Sequence, residues 1–118
     1  MSWFKQLTRW FRLLLDPRRT YGHTFAEDPP DEVAESVVYL IGDDPATLWS
    51  AQFKCPCGCR ETIALSLIPR DDPSWRATVT KQGNVTLYPS VWRIKGCRSH
   101  FFIRDGRVLW AIEDKRIA

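Results

Sequence analysis

Apolar residues recur at helical spacing in one place, the start of the chain. Trp3, Leu7, Trp10 and Leu14 fall on one side, with Phe4 and Phe11 beside them, while Lys5, Arg9 and Arg12 lie roughly opposite. Pro17 stops this pattern. Residues 1–19 therefore read as an amphipathic, basic N-terminal helix. Its apolar face suits packing on the domain or a partner protein, and its two-sided character also suits an anionic membrane surface.

Residues 20–35 follow as an acidic linker, centred on Ala26-Glu-Asp-Pro-Pro-Asp-Glu-Val-Ala-Glu35. From residue 36 the pattern becomes β. Val37–Ile41 reads as a strand ended by Gly42-Asp43-Asp44-Pro45, and Leu48–Phe53 as the next. Ile63, Leu65 and Leu67 alternate with Thr62, Ala64 and Ser66, as a half-buried strand requires. After the break at Pro69–Pro73, 75–80 and 85–88 flank Gln82-Gly83-Asn84 as a hairpin. Asp105-Gly106, between 100–104 and 107–112, is a stronger hairpin signal. The expected fold is mostly β: a small zinc-stabilised β sandwich or open barrel over residues 36–118, preceded by one amphipathic helix.

Composition narrows the possibilities. A chain of 118 residues holds one domain, and 44% hydrophobic content argues against disorder. Residues 1–19 carry +4 of the chain's +3 formal charge, which leaves −1 on the other ninety-nine. A nearly neutral body lacks the basic face that phosphate binding needs, so no nucleic-acid partner is expected. No apolar run has the length of a transmembrane helix, and Leu13-Leu14-Leu15 is too short for a signal-peptide core. The expected location is the cytoplasm, with peripheral membrane contact open to the helix.

In a reducing compartment, four cysteines in a tight pattern read as metal ligands rather than disulfides. In Cys55-Pro-Cys57-Gly-Cys59, thiolates at alternate positions of an extended segment point the same way, and Gly58 allows a turn that brings Cys59 round. Cys97 would complete an all-sulfur tetrahedron for Zn2+. Such a site has no open position and is structural. It would tie together segments some forty residues apart, which matters in a small β domain. Cys97-Arg-Ser-His100 also has ligand spacing, so His100 could stand in for one cysteine. It resembles half of a Rieske motif too, but a Rieske centre takes two histidines and two cysteines, and the upstream half offers only cysteines.

His100 carries a second possibility. Ser99 is adjacent to it, but neighbours on a strand face opposite ways. Ser90 is better placed: if the chain folds back at Ile94-Lys95-Gly96, residues 90 and 100 are equidistant from 95 and become cross-strand partners. Imidazole beside hydroxyl makes an activated nucleophile. A register slip of one residue would separate them. Asp105 and Glu113 are the nearest carboxylates in sequence, without a pattern that assigns either as an orienting group. His23, in a Gly-containing stretch, reads as a surface residue.

Taken in order, Cys-Pro-Cys-Gly-Cys, Leu87-Tyr-Pro-Ser90, Cys97-Arg-Ser-His100-Phe-Phe and Gly106-Arg-Val-Leu-Trp110 resemble a family of small bacterial proteins over residues 36–113. That family is encoded in the bacterial ubiquitination-like (Bub) operons, beside ubiquitin-like proteins and their conjugating enzymes. The resemblance implies a zinc-containing serine peptidase with a Ser–His dyad, acting on a ubiquitin-like protein in an antiphage setting. It implies Ser90 as nucleophile, with Ser99 second, His100 as general base, and Cys55, Cys57, Cys59 and Cys97 as ligands. Two other classes compete with it: a non-catalytic zinc-binding adaptor of such a system, and a redox or metal sensor using exposed thiolates.

Overall fold

The computed structural model describes residues 15–93 and 96–111. The expected helix, apart from its last residues, lies outside these, as does Glu113. The described residues form nine strands and no helix. They are β1 (Leu15–Thr20), β2 (Gly22–Ala26), β3 (Val37–Gly42), β4 (Leu48–Lys54), β5 (Thr62–Ser66), β6 (Arg76–Val79), β7 (Val85–Trp92), β8 (His100–Arg104) and β9 (Arg107–Trp110).

Two separate sheets result, one five-stranded in the order β1-β9-β8-β7-β6 and one four-stranded in the order β2-β3-β4-β5. Of the two architectures expected, two separate sheets around one shared core match the sandwich rather than the open barrel. Alternation decides the inner faces. Val38 and Leu40, Ala51 and Phe53, Ile63 and Leu65 point inward from one sheet; Val85, Leu87 and Val91, Phe101 and Ile103, and Val108 do so from the other. Phe53 meets Phe101 edge to face at 6.2 Å between ring centroids, and Tyr21 meets Phe53 at 5.7 Å. These aromatic contacts sit at the centre of the interface between the layers.

The start of the chain departs from expectation. Residues 15–19, expected to end the helix, and residues 20 and 22–26, expected in the linker, are strands. β1 adds to the edge of β9, and β2 pairs in parallel with β3. Between them Tyr21 is buried, with its hydroxyl donating to the Lys54 carbonyl, so the chain crosses from one sheet to the other at that ring. Residues 27–36 form the remaining connection, with bends and turns only. Pro17 and the charged side chains of Asp16, Arg18 and Arg19 hide β1 from any alternation rule, and edge strands are where such residues are tolerated.

Both expected hairpins form. The Asp105-Gly106 turn has φ of 52° and 76°, the left-handed pair that a two-residue turn needs. At the other turn Thr80 N–H donates to the Asn84 carbonyl at 2.9 Å. Among the described residues no helix is long and apolar enough to cross a membrane.

Candidate active site

The β4–β5 connection carries three of the cysteines. Cys55 N–H donates to the Glu61 carbonyl at 2.9 Å and closes the loop, while Gly58 at φ 92° turns the chain, the conformation for which glycine is suited. The β7–β8 connection brings Cys97 to the same end of the sandwich. Within this set Cys55 Sγ lies 3.4 Å from Cys57 Sγ and 3.6 Å from Cys97 Sγ, and all four sulfurs fall within 4.8 Å of one another. All four are free thiols. Four thiolates each about 2.3 Å from a tetrahedral ion stand about 3.8 Å apart, so the cluster has the size and donor chemistry for one metal ion.

The sulfurs differ in surroundings. Burial pushes the Cys55 thiol up to about 12. Burial also opposes ionisation of Cys97, but hydrogen bonds from the Ser99 side chain and backbone, with those of Cys57 and Cys55, bring it down to about 6. Arg93 approaches Cys97 Sγ at 3.9 Å and is itself paired with Glu61. Two connections, one from each sheet, thus converge on a single thiol cluster held by local hydrogen bonds.

Next to the cluster, β7 and β8 pair with a change of register. Leu87 faces Ile103, but Val91 faces Phe101 and Trp92 faces His100. Four steps along β7 therefore match two along β8, and β7 bulges over Tyr88–Ser90, where the Tyr88–Pro89 bond is cis. The residue opposite His100 is Trp92 rather than Ser90, so the expected register was off by two residues. A shift of two keeps every side chain on its face. Ser90 remains on the same outer face as His100, one diagonal away, a gap that a ring can span.

Ser90 Oγ lies 2.9 Å from His100 Nε2, and both residues are half-buried. The Ser90 carbonyl accepts from Trp75 Nε1 at 3.2 Å, which ties the bulge to the loop before β6. The His100 ring stacks on Trp92, with centroids 5.1 Å apart and planes 12° from parallel, and lies 6.2 Å from the Phe102 ring. Ser99 faces the other way. It is 9% exposed, and its hydroxyl donates to Cys97 Sγ at 3.2 Å.

Ser90 meets His100, Ser99 meets the thiols, and His100 Nε2 faces the hydroxyl rather than the sulfur cluster. Asp105 lies in the β8–β9 turn, at the opposite end of β8 from His100. His23 is on β2 beside Phe25. Trp75, Trp92 and Phe102 were not singled out from sequence, although positions two after Ser90 and two after His100 share their faces by strand period alone.

The model of the family described as bacterial ubiquitination-like system serine protease (BubE) matches residues 25–111. The chain belongs to that family. The match begins within β2 and ends just past β9, so it takes in the thiol cluster and the Ser90–His100 contact. No curated protein and no solved structure matches the chain.

Proposed function

We propose that this chain is the serine peptidase of a bacterial ubiquitination-like system, with Ser90 as nucleophile, His100 as general base and one structural zinc on Cys55, Cys57, Cys59 and Cys97. The observation that carries the reading is the 2.9 Å contact between Ser90 Oγ and His100 Nε2 on an exposed sheet face, in a chain of a serine protease family. A serine hydroxyl is a poor nucleophile until a neighbouring base takes its proton.

His100 Nε2 accepts that proton as Ser90 Oγ attacks the carbonyl carbon of the scissile amide. The tetrahedral intermediate collapses with cleavage of the C–N bond, and the imidazolium returns the proton to the leaving amine. Water, deprotonated by the same nitrogen, then hydrolyses the ester and regenerates the hydroxyl. The substrate is a ubiquitin-like protein, cut at its tail or at its junction with a target.

Four thiolates would fill the coordination shell of zinc, which supplies cross-linking rather than Lewis acidity because no position stays open. Cys97 is three residues before His100, so holding Cys97 also fixes the start of β8. A set of reduced thiols fits a cytoplasmic setting.

Incubation of the protein with a tailed ubiquitin-like precursor, followed by mass measurement of the products, tests the assignment. Wild-type protein cleaves and Ser90→Ala does not; undiminished cleavage by Ser90→Ala rejects it. A fluorophosphonate probe separates the enzyme from a zinc-binding adaptor, since only the enzyme is labelled at Ser90.

A further inference from the structure

We infer that Trp92 is a positioning residue for the general base: its indole holds the imidazole of His100 in the plane and lean that reach Ser90. The inference rests on the dyad reading above and adds to it a residue outside the dyad.

The register carries the first step. Trp92, not Ser90, is the direct cross-strand partner of His100. Side chains on a sheet stand roughly upright above their own position. An upright imidazole would face residue 92 and miss the hydroxyl one diagonal along. To place Nε2 at 2.9 Å from Ser90 Oγ, the ring must lean along the strands towards the bulge. The bulge brings Ser90 partway, but the position opposite His100 still decides which way the ring can go.

Trp92 occupies that position with a flat surface. The two rings lie 5.1 Å apart at 12°, so the indole face lies against one face of the imidazole while Nε2, at the ring edge, meets Ser90 Oγ. Phe102, two residues along β8 on the same face, lies 6.2 Å from His100 at 29°. Contact through the faces limits rotation about the last side-chain torsion without competing for hydrogen bonds. Offset stacking of this kind biases a ring between orientations by roughly three- to tenfold.

Burial does not account for Trp92. The side chain is 58% exposed and lies on the outer face, away from the core formed by Val91 and Phe101. A tryptophan left this open contributes little to the fold, so its removal leaves the sandwich standing.

The test compares Trp92→Ala, Trp92→Leu and Trp92→Phe in the full chain. Trp92→Ala and Trp92→Leu lower kcat about tenfold with KM within about twofold, because the ring orientation rather than substrate binding is lost. Trp92→Phe, which keeps a flat face, recovers kcat to within about threefold of wild type. A second readout needs no substrate. The chain has two histidines, and in a His23→Gln background the His100 ring protons shift downfield in the Ala and Leu variants, as the aromatic ring current disappears, and only part of the way in the Phe variant, which keeps a smaller one.

A rise in KM with unchanged kcat makes Trp92 a substrate contact and overturns the inference. Recovery by leucine, or a His100 resonance that does not move, overturns it as well. Failure of the dyad reading looks different: there Ser90→Ala itself still cleaves. An inactive Ser90→Ala beside a Trp92→Ala of full kcat sinks only the role of Trp92.

Discussion

His100 reaches Ser90 across a diagonal, with Nε2 2.9 Å from Oγ, while the residue directly opposite it in the ladder is Trp92. The contact depends on the bulge at Tyr88–Ser90, which gives β7 two more residues than β8 between the flanking pairs. Geometry of this kind is local to a few side chains, so it can be removed piece by piece without unfolding the domain.

The two candidate serines are expected to fail in opposite ways. Ser90→Ala abolishes cleavage, while metal content and Tm stay at wild-type values. Ser99→Ala keeps the dyad but removes the hydroxyl beside Cys97 Sγ, and weakens metal retention by about 1 kcal/mol, or roughly fivefold. Parallel measurement of cleavage and of zinc by competition with a chelator checks both.

Trp75→Phe removes the N–H that the Ser90 carbonyl accepts and keeps most of the ring. Losing one such hydrogen bond weakens the hold on the bulge by about 1 kcal/mol, and to the extent that Ser90 then leaves its place beside His100, kcat/KM falls by up to about fivefold. Steady-state kinetics at equal folded fractions, judged by circular dichroism, provides the check.

Metal affinity should fall on acidification, with a change of slope. At pH 7 the buried Cys55 thiol, at about 12, holds its proton, whereas Cys97, at about 6, is mostly ionised. Binding must displace the first proton but little of the second. Below about pH 6 the Cys97 proton must leave too, so the plot of log affinity against pH steepens by about one proton. Titration of apo protein with zinc between pH 5 and pH 8 reads this directly; a slope constant across that range contradicts it.

Phe53→Ala opens the contact between layers at a side chain with no exposure. A loss of about 3–5 kcal/mol is expected, enough to unfold much of so small a domain at 37 °C. Urea denaturation of the zinc-loaded form measures it.

Much of this architecture was legible because its signals are local. Thr62–Ser66 alternates cleanly, Val37–Gly42 and Leu48–Lys54 are short apolar-rich runs bounded by turn residues, and all three lie within a residue or two of their expected bounds, as does His100–Arg104. Cys55, Cys57 and Cys59 announce themselves by spacing. The face shared by Ser90 and His100 was readable too, since parity survives an even shift, but the partner of His100 was not: a two-residue bulge leaves no alternation signal, and Pro89 marked it only in retrospect. β1 and β2 were missed for a different reason. Leu15–Thr20 and Gly22–Ala26 lie on sheet edges, and their pairing with Arg107–Trp110 and Val37–Gly42 is set by partners, not by their own pattern.

The thiol cluster joins the β4–β5 connection to the β7–β8 connection, one from each layer, at the end that also bears Ser90 and His100. The molecule thereby acquires a clamped pole and a permissive one. At the permissive pole the exposed turn at Gln82-Gly83-Asn84 lies away from the chemistry, so lengthening it should be tolerated where a single inserted residue between Cys97 and His100 is not. Natural variation in loop length, or a grafted epitope, belongs at that pole.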